Sequence, residues 1–218
     1  MRRPYFDRTA AGEALADELG PVAGSVLVLG LARGGVPVAA PVADALGAEL
    51  DVLIVRKLGL PGQPELAMGA IAGVGEELHV VRNEQIARDV EAAAMDEVRR
   101  REVLELRRRE SAYRGDRPPI DVRDRVVILV DDGLATGSTM RAAVEAVRRQ
   151  RPTRVIVAVP VGGVESCRRL AGIADQVVCV WIPRYFNAVG QAYRDFSSVS
   201  DDEVQRVLAE STARRLGR

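Results

Sequence analysis

The sequence predicts an α/β protein built on a doubly wound, mostly parallel sheet. Short runs of apolar, mostly β-branched residues have the pattern of strands that are buried on both faces. Segments with apolar residues at helical spacing alternate with these runs along the chain. Polar turns that contain glycine follow several of the strands. Because ligands bind such a sheet at the carboxyl ends of its strands, functional residues are expected in these turns.

The individual elements follow from the same patterns. Strands are predicted at residues 25–29, 50–55, 126–130, 154–160 and 176–181, with a hairpin formed by 68–72 and 78–81. Helices are predicted at residues 5–19, 36–46, 84–113, 140–147, 164–171 and 201–217. His79, the only histidine, is expected at the surface of the hairpin. Segment 58–65 contains two glycines and two prolines, a composition that predicts a mobile loop.

Length and composition indicate a single domain. The chain has 218 residues, of which 47% are apolar. We expect a core over about residues 22–180 and a small hood formed by about 181–200 together with the N-terminal segment. No apolar run approaches the roughly 20 residues of a membrane span, and the first residues lack the apolar region of a signal peptide. These features predict a cytoplasmic protein without a membrane partner.

The charge pattern gives no reason to expect a nucleic-acid partner. The formal net charge is zero, so bulk electrostatics do not attract nucleic acid. A basic run at residues 107–109 is interleaved with glutamates, which favours a solvated or subunit-facing helix over an RNA-binding one. We therefore expect no DNA partner, disfavour RNA, and expect a homodimer.

The most informative stretch is residues 126–139, in which a buried strand is followed by Asp131 and Asp132, a loop of glycines and hydroxyl residues, and a helix. Loop N–H groups, hydroxyls and the helix N-terminus can all donate to one phosphate. A P-loop would need lysine after its second glycine, and Ser138 stands there. Two carboxylates beside a phosphate site suit vicinal hydroxyls, so these residues indicate a ribose 5-phosphate. An ordinary buried strand with an acidic turn is the alternative.

This stretch resembles the signature of the type I phosphoribosyltransferases, which bind phosphoribosyl pyrophosphate (PRPP). The resemblance implies that the acids hold the ribose 2- and 3-hydroxyls and that the loop holds the 5-phosphate. It also implies the fold of that family, with a small hood and a flexible loop. The residues implied to bind PRPP are Asp131, Asp132, Gly133, Ala135, Thr136, Gly137, Ser138 and Thr139.

A second candidate turn lies at residues 30–35, between the first predicted strand and its helix. An arginine among small residues in such a turn can share a diphosphate with backbone N–H groups. The tetrad Ala-Arg-Gly-Gly at 32–35 resembles the pyrophosphate loop of the same family, where a non-proline cis peptide is usual. The residues implied to bind pyrophosphate are Ala32, Arg33, Gly34, Arg56 and Lys57. A plain helix-entry turn is the alternative.

Lys57 is the only lysine among 31 basic residues, and it precedes the segment rich in glycine and proline. The order Arg-Lys-x-Gly-x-Pro-Gly resembles the catalytic loop of adenine phosphoribosyltransferases. The resemblance implies that Lys57 approaches the pyrophosphate while the loop closes and excludes water. Lys57, Glu65 and Arg33 are the expected catalytic residues, with Glu65 as the base. A solvated surface loop is the alternative.

Most of the few aromatic residues lie between residues 181 and 196. Flat apolar surfaces beside polar backbone suit a nucleobase. The segment resembles the hood of 6-oxopurine phosphoribosyltransferases, and this implies base binding by Trp181 and Phe186 and a magnesium contact by Asp195. A packed aromatic corner is the alternative.

Together the resemblances imply an enzyme of nucleotide metabolism, a Mg²⁺-dependent phosphoribosyltransferase and therefore a glycosyltransferase. It would transfer ribose 5-phosphate from PRPP to a nitrogenous base or amine and release pyrophosphate. A non-catalytic protein that senses PRPP or nucleotides on the same fold is the alternative. The acceptor signals conflict, because Ala135 occupies the position at which 6-oxopurine enzymes carry an aspartate. We therefore expect hypoxanthine and guanine to be poor acceptors.

Overall fold

The structure is a computed structural model that describes residues 5–75, 77–88, 90–115, 117–119 and 121–217, apart from the side chains of Pro64 and Glu65. The strands within these residues are β1 (Val26–Leu31), β2 (Glu49–Leu60), β3 (Gln63–Val74), β4 (Glu77–Arg82), β5 (Val126–Val130), β6 (Arg154–Val161) and β7 (Gln176–Trp181). The helices are α1 (Arg8–Leu19), α2 (Gly35–Leu46), α3 (Glu84–Ala87), α4 (Ala92–Arg114), α5 (Ser138–Arg149), α6 (Val164–Ala171) and α7 (Asp201–Leu216), with a 3₁₀ turn at Val189–Ala192.

All seven described strands join one sheet in the order β4-β3-β2-β1-β5-β6-β7. Strands β2, β1, β5, β6 and β7 are parallel to one another, and β3 and β4 add an antiparallel edge next to β2. The carboxyl ends of the two central strands, β1 and β5, therefore lie side by side at one edge of the sheet. This arrangement confirms the predicted mostly parallel α/β fold.

Helices cover both faces of the sheet, because successive residues of a strand point to opposite sides. Ile128 of β5 packs in a cluster with α1, α2, α4 and α7, whereas Leu129 packs in a second cluster with α5 and α6. Every residue of β5 is buried, as its unbroken apolar run predicts. The sheet is thus doubly wound around its central strands. None of the described helices is long and apolar enough to cross a membrane.

Residues 58–65 are mostly strand and do not form the predicted loop. Strand β2 continues to Leu60, β3 begins at Gln63, and these two residues pair across a turn at Pro61 and Gly62. Gly62 has a φ of +78°, a conformation that glycine adopts at no steric cost. Main-chain pairing with β3 outweighs the loop-like composition, and the register shifts on either side of Gly59 absorb the irregularity.

Two further predictions need correction. His79 is buried rather than at the surface, because β4 turns it towards the end of α5, where Gln150 lies 3.5 Å from its Nε2 atom. Burial lowers the pKa of His79, although nearby Glu77 raises it. The helix predicted over residues 84–113 is divided, with α3 ending at Ala87 and α4 beginning at Ala92. The remaining helices and strands occur where the sequence predicts them.

Candidate active site

The loop after β5 has the form of an anion-binding site. Gly137 has a φ of +74° and turns the chain into α5, which begins at Ser138. The hydroxyl oxygens of Thr136 and Ser138 lie 3.1 Å apart on the exposed side of this turn. The first N–H groups of a helix have no partner within the helix and point at such a site. Residues 135–139 therefore present hydroxyl and N–H donors to solvent at the helix N-terminus, as the sequence predicts.

The rest of the loop is fixed to the neighbouring strand and helix. Leu134 N–H donates to Val161 O over 2.9 Å, and Gly163 N–H donates to Leu134 O over 3.0 Å. The Ser166 hydroxyl of α6 donates to Ala135 O over 2.6 Å. These bonds use the Leu134 N–H and two loop carbonyls, and they leave the hydroxyl side of the loop open to a ligand.

The turn after β1 lies directly against the loop after β5. A Cβ atom on Gly35 would stand 2.5 Å from Val130 O, and a Cβ atom on Gly34 would overlap the Asp132 carboxylate. Only glycine allows the two turns to approach this closely. The Ala32–Arg33 peptide bond is cis, as the family resemblance implies. The two candidate phosphate loops and the acidic pair therefore form one continuous site at the carboxyl end of the sheet.

The two adjacent acids of this site have different surroundings. Asp131 and Asp132 are both half-buried. Burial, followed by the charge of Asp132, raises the pKa of Asp131 well above its ordinary value. Burial also raises the pKa of Asp132, but the Arg8 guanidinium opposes this effect. A hydrogen bond from Asp132 N–H to Asp131 Oδ1, 2.9 Å long, fixes the first carboxylate. Both carboxyl groups can accept hydrogen bonds from hydroxyl donors.

Arg8 is a site residue that the sequence interpretation missed. Its Nε and Nη2 atoms each lie 3.0 Å from Asp132 Oδ2, and its Nη1 atom donates to Ser197 O over 2.8 Å. The guanidinium carbon is 4.1 Å from the centre of the Phe196 ring. One signal in the sequence could have drawn notice to Arg8: it is a cation at the first position of a helix, where the helix dipole disfavours positive charge.

Arg8 belongs to a strap, which we define as residues 5–8 together with residues 192–197. Tyr5 N–H donates to Ala192 O, Arg194 N–H donates to Tyr5 O, and Asp195 N–H donates to Phe6 O, over 2.6–2.8 Å. The Tyr193 hydroxyl, also on the strap, donates to Asp132 O over 2.6 Å. The strap therefore lies against the second acid of the pair and holds it through two side chains.

The predicted cationic residues are distributed over two faces of the sheet. Arg33 is partly exposed, with Nη1 3.6 Å from Asp201 Oδ1. Lys57 is exposed and borders a cavity of about 460 Å³ that is also lined by the start of α5. Arg56 points to the other face, where Nε and Nη2 donate to Glu102 Oε2 over 2.9 and 2.6 Å. The structure therefore does not bring Arg56 to the pyrophosphate loop. Glu65 lies on β3, but its side chain is outside the described part of the structure.

The predicted hood residues form a packed corner. Trp181 and Phe186 are half-buried against a small apolar cluster that includes Ala11 and Tyr193. Phe186 also lies beside Gly163, next to the phosphate loop. Base binding by these two residues stays a prediction.

Asp195 is not gathered with the other two acids. It is exposed, and its Oδ1 atom accepts the Ser197 N–H over 3.0 Å, a hydrogen bond that lowers the pKa of Asp195. Among the residues that the structure describes, no three His, Cys, Asp or Glu side chains are grouped so that they could hold a metal ion. The expected magnesium contact by Asp195 therefore has no support from the geometry.

Comparison with known proteins gives consistent results. The family model described as "Phosphoribosyl transferase domain" matches residues 22–188. The crystal structure of TT1426 from Thermus thermophilus is 44% identical, with a TM-score of 0.81, and covers 96% of this chain and 99% of that one. The Mycobacterium tuberculosis protein Rv0571c is 50% identical over 207 residues, which are 94% of this chain and 46% of that protein. The chain thus spans about half the length of the curated relatives that it matches over most of its own length.

A shorter match covers one part of the chain. Over 40 residues the sequence is 60% identical to the bifunctional protein PyrR of Clostridium acetobutylicum, which is 18% of this chain and 22% of that protein. A match of this length supports kinship of a motif rather than of a whole molecule.

Proposed function

Because the chain belongs to the phosphoribosyl transferase domain family, we propose that it transfers ribose 5-phosphate from PRPP to a nitrogenous base or amine and releases pyrophosphate. One observation carries the proposal: the half-buried pair Asp131–Asp132 lies between an open hydroxyl loop and the turn that contains Arg33. PRPP carries two anionic groups on a ribose with vicinal hydroxyls, and the site offers a matching element for each part.

Each part of PRPP has its own place in this proposal. The 5-phosphate accepts hydrogen bonds from residues 135–139 and from the first N–H groups of α5. The ribose hydroxyls donate to Asp131 and Asp132. The diphosphate lies along the turn at residues 32–34, where Arg33 is partly exposed and its only close carboxylate among the described residues is 3.6 Å away. The cavity beside Lys57 lies next to the start of α5 and leaves room for this lysine to approach a bound phosphate.

The reaction breaks the bond between the anomeric carbon and the diphosphate oxygen and forms a bond to a nitrogen of the acceptor. The transition state resembles an oxocarbenium ion, so the protein acts by positioning and by neutralising the departing diphosphate. Arg33 and Lys57 supply positive charge for this purpose. We propose that PRPP enters as its magnesium salt, since Mg²⁺ keeps most of its ligands as water and substrate phosphate oxygens. Asp131 and Asp132 are assigned to the ribose, and no residue of the chain is assigned to the metal.

The choice of acceptor is inferred from the residue that precedes Thr136 in the phosphate loop. Ala135 is exposed there and offers no group to exchange a proton with a ring N–H. We therefore propose that hypoxanthine and guanine are poor acceptors, and that adenine or a non-purine amine or base is used instead.

The test is a panel of bases and amines incubated with PRPP and Mg²⁺, followed by measurement of pyrophosphate release. We expect release with at least one acceptor other than hypoxanthine and guanine. Efficient turnover of either 6-oxopurine would contradict the acceptor assignment. PRPP binding by calorimetry with no pyrophosphate release for any acceptor would instead indicate the alternative, a PRPP-sensing protein without turnover.

A further inference from the structure

The Arg8–Asp132 ion pair joins two parts of the molecule of different kinds. Asp132 belongs to the segment that the family model matches, residues 22–188, whereas Arg8 and its partner Ser197 lie outside that segment. The side chains of Arg8 and Asp132 are only 12% and 15% exposed. A charge pair this well shielded from water interacts more strongly than a surface pair. The Arg8 guanidinium therefore lowers the pKa that Asp132 would have without it.

The geometry of Arg8 indicates that it acts through Asp132 and not on the substrate itself. All three of its nitrogens are engaged, two by Asp132 Oδ2 and one by Ser197 O. The flat face of the guanidinium packs on Phe196. A guanidinium with a carboxylate, a carbonyl and a ring around it has little freedom to turn towards a diphosphate.

Asp132 is correspondingly held at two points and left open at a third. Arg8 binds Oδ2, and Tyr193 binds the main-chain oxygen. Among the described residues, no other residue donates a hydrogen bond to Oδ1. This atom is therefore available to a ribose hydroxyl, in an orientation set by the other two contacts.

The positive charge of Arg8 also offsets the repulsion between the two carboxylates. Two adjacent half-buried carboxylates repel each other, and the repulsion favours proton uptake by one of them. A protonated acid is a poorer acceptor for a hydroxyl donor than a carboxylate is. The Arg8 cation next to Asp132 therefore favours the ionised carboxylate, which is the better hydrogen-bond acceptor. Gly34 leaves space for this arrangement, since a Cβ atom there would overlap Asp132 Oδ2, the atom that Arg8 binds.

We propose that Arg8, carried to the site by the strap, is a positioning residue for PRPP binding that holds Asp132 ionised and turns its Oδ1 atom towards the ribose. The inference rests on the proposed function, because it takes the ribose of PRPP as the ligand of Asp132. It adds a determinant from outside the matched family segment.

The test is a double-mutant cycle of Arg8→Gln and Asp132→Asn, with PRPP affinity measured by calorimetry in the presence of Mg²⁺. We expect Arg8→Gln to weaken binding about tenfold or more in the natural background, and less than about threefold when Asp132 is already Asn. Arg8→Lys keeps the charge but loses the two-nitrogen contact of the guanidinium. Its PRPP affinity is expected to lie between those of Arg8→Gln and the natural protein. Arg214→Gln removes a more exposed ion pair, to Asp44 at 3.1 Å, and is the control for loss of an arginine elsewhere that should leave affinity unchanged.

The outcomes separate the possible explanations. Equal losses in the two backgrounds would show that Arg8 contacts PRPP directly and would overturn the positioning role. Unchanged affinity in both Arg8→Gln and Arg8→Lys would show that the arginine only fastens the strap. If the natural protein itself failed to bind PRPP, the proposed function would fall and this inference with it. Natural binding together with unaffected Arg8 variants would reject the inference alone. Where turnover can be followed, we expect Arg8→Gln to raise the KM for PRPP more than it lowers kcat.

Discussion

The centre of the sheet and the strap contribute to one site by different physical means. At the centre, β1 and β5 are hydrogen-bonded neighbours, and their turns present loop donors and two carboxylates at the same edge. The strap offers no such loop, and it reaches the site through the side chains of Arg8 and Tyr193. The difference suggests a division of labour, in which the centre supplies the groups that meet the ligand and the strap sets the state of one of them. Four changes would break or sharpen this comparison.

The largest effect is expected from the acids at the centre. Asp131→Asn combined with Asp132→Asn removes two charge-assisted acceptors, each worth about 1.5–3 kcal/mol, so PRPP affinity should fall about a hundredfold or more. Calorimetry measures the affinity, and circular dichroism checks that the fold is kept. The pair Asp121→Asn with Asp124→Asn changes the charge equally at residues that line neither phosphate loop. PRPP binding that survives in the first variant would remove the ribose assignment.

The next effect separates two adjacent cations. Lys57→Ala should lower kcat about tenfold or more with PRPP affinity within about threefold, because in the proposed mechanism the lysine meets the departing diphosphate rather than the bound substrate. Arg56→Ala is the neighbouring control. It breaks the pair with Glu102 and should lower the melting temperature while kcat is kept. A turnover number unchanged by Lys57→Ala would show that this lysine has no catalytic role.

A smaller effect concerns stability and its dependence on pH. The pKa of Asp131 is raised on folding by burial and by Asp132, so the stability contributed by this group is present below its unfolded pKa of about 3.9 and is lost as pH rises through the folded value. Asp131→Asn should therefore raise the melting temperature at neutral pH, by about 2–4 °C for each kcal/mol recovered, and the gain should vanish near pH 4.

Asp175→Asn is expected to change the melting temperature in the opposite direction. Burial raises the pKa of Asp175, but hydrogen bonds from Val155 N–H and Arg148 outweigh it and lower the pKa overall. Its stabilisation is present above the unfolded pKa and is lost as pH falls, so this variant should melt earlier at neutral pH. Parallel melting curves over pH 4–8 check both predictions. An Asp131→Asn gain that did not depend on pH would contradict the charge explanation.

The smallest effect tests the strap at its second contact. Tyr193→Phe removes one hydroxyl donor from Asp132 O, worth about 0.5–1.5 kcal/mol, so PRPP affinity should fall roughly two- to tenfold. Tyr5→Phe removes a similar bond on the same strap, to Pro160 O at 2.8 Å, without touching Asp132. Calorimetry on both variants is the measurement. Equal effects from the two would mean that the strap matters as a whole rather than through Asp132.

The same comparison explains what could be predicted from the sequence. The strand, acids, loop and helix of residues 126–149 follow one another in the chain, so local pattern and spacing predict them together. The cis bond between Ala32 and Arg33 was implied by the family resemblance of the tetrad at residues 32–35, which is also a short local motif. The central fold and half of the site are thus encoded in short segments.

Most of the failures concern contacts that the composition of a single segment does not reveal. Arg8 meets an acid 124 residues away, and nothing in the neighbouring sequence reports that meeting. Arg56 and Lys57 look alike in the chain, and only the pleat of β2 and the position of Glu102 separate their roles. Segment 58–65 has the composition of a loop, yet pairing with β3 makes most of it strand. His79 is buried because α5 covers β4. The sequence of the β3–β4 hairpin does not reveal this contact.

The strap also bears on the order in which the protein is made. The hydrogen bond from Arg8 to Ser197 spans 189 positions of the chain, so it forms only after residue 197 has left the ribosomal exit tunnel. By then β1 to β7 have already been synthesised and can pair, since domains fold as they emerge from the N-terminal side. Until that moment Arg8 can pair with Asp132 but lacks the Ser197 carbonyl that completes its contacts. The surroundings of the acidic pair are therefore completed only late in synthesis.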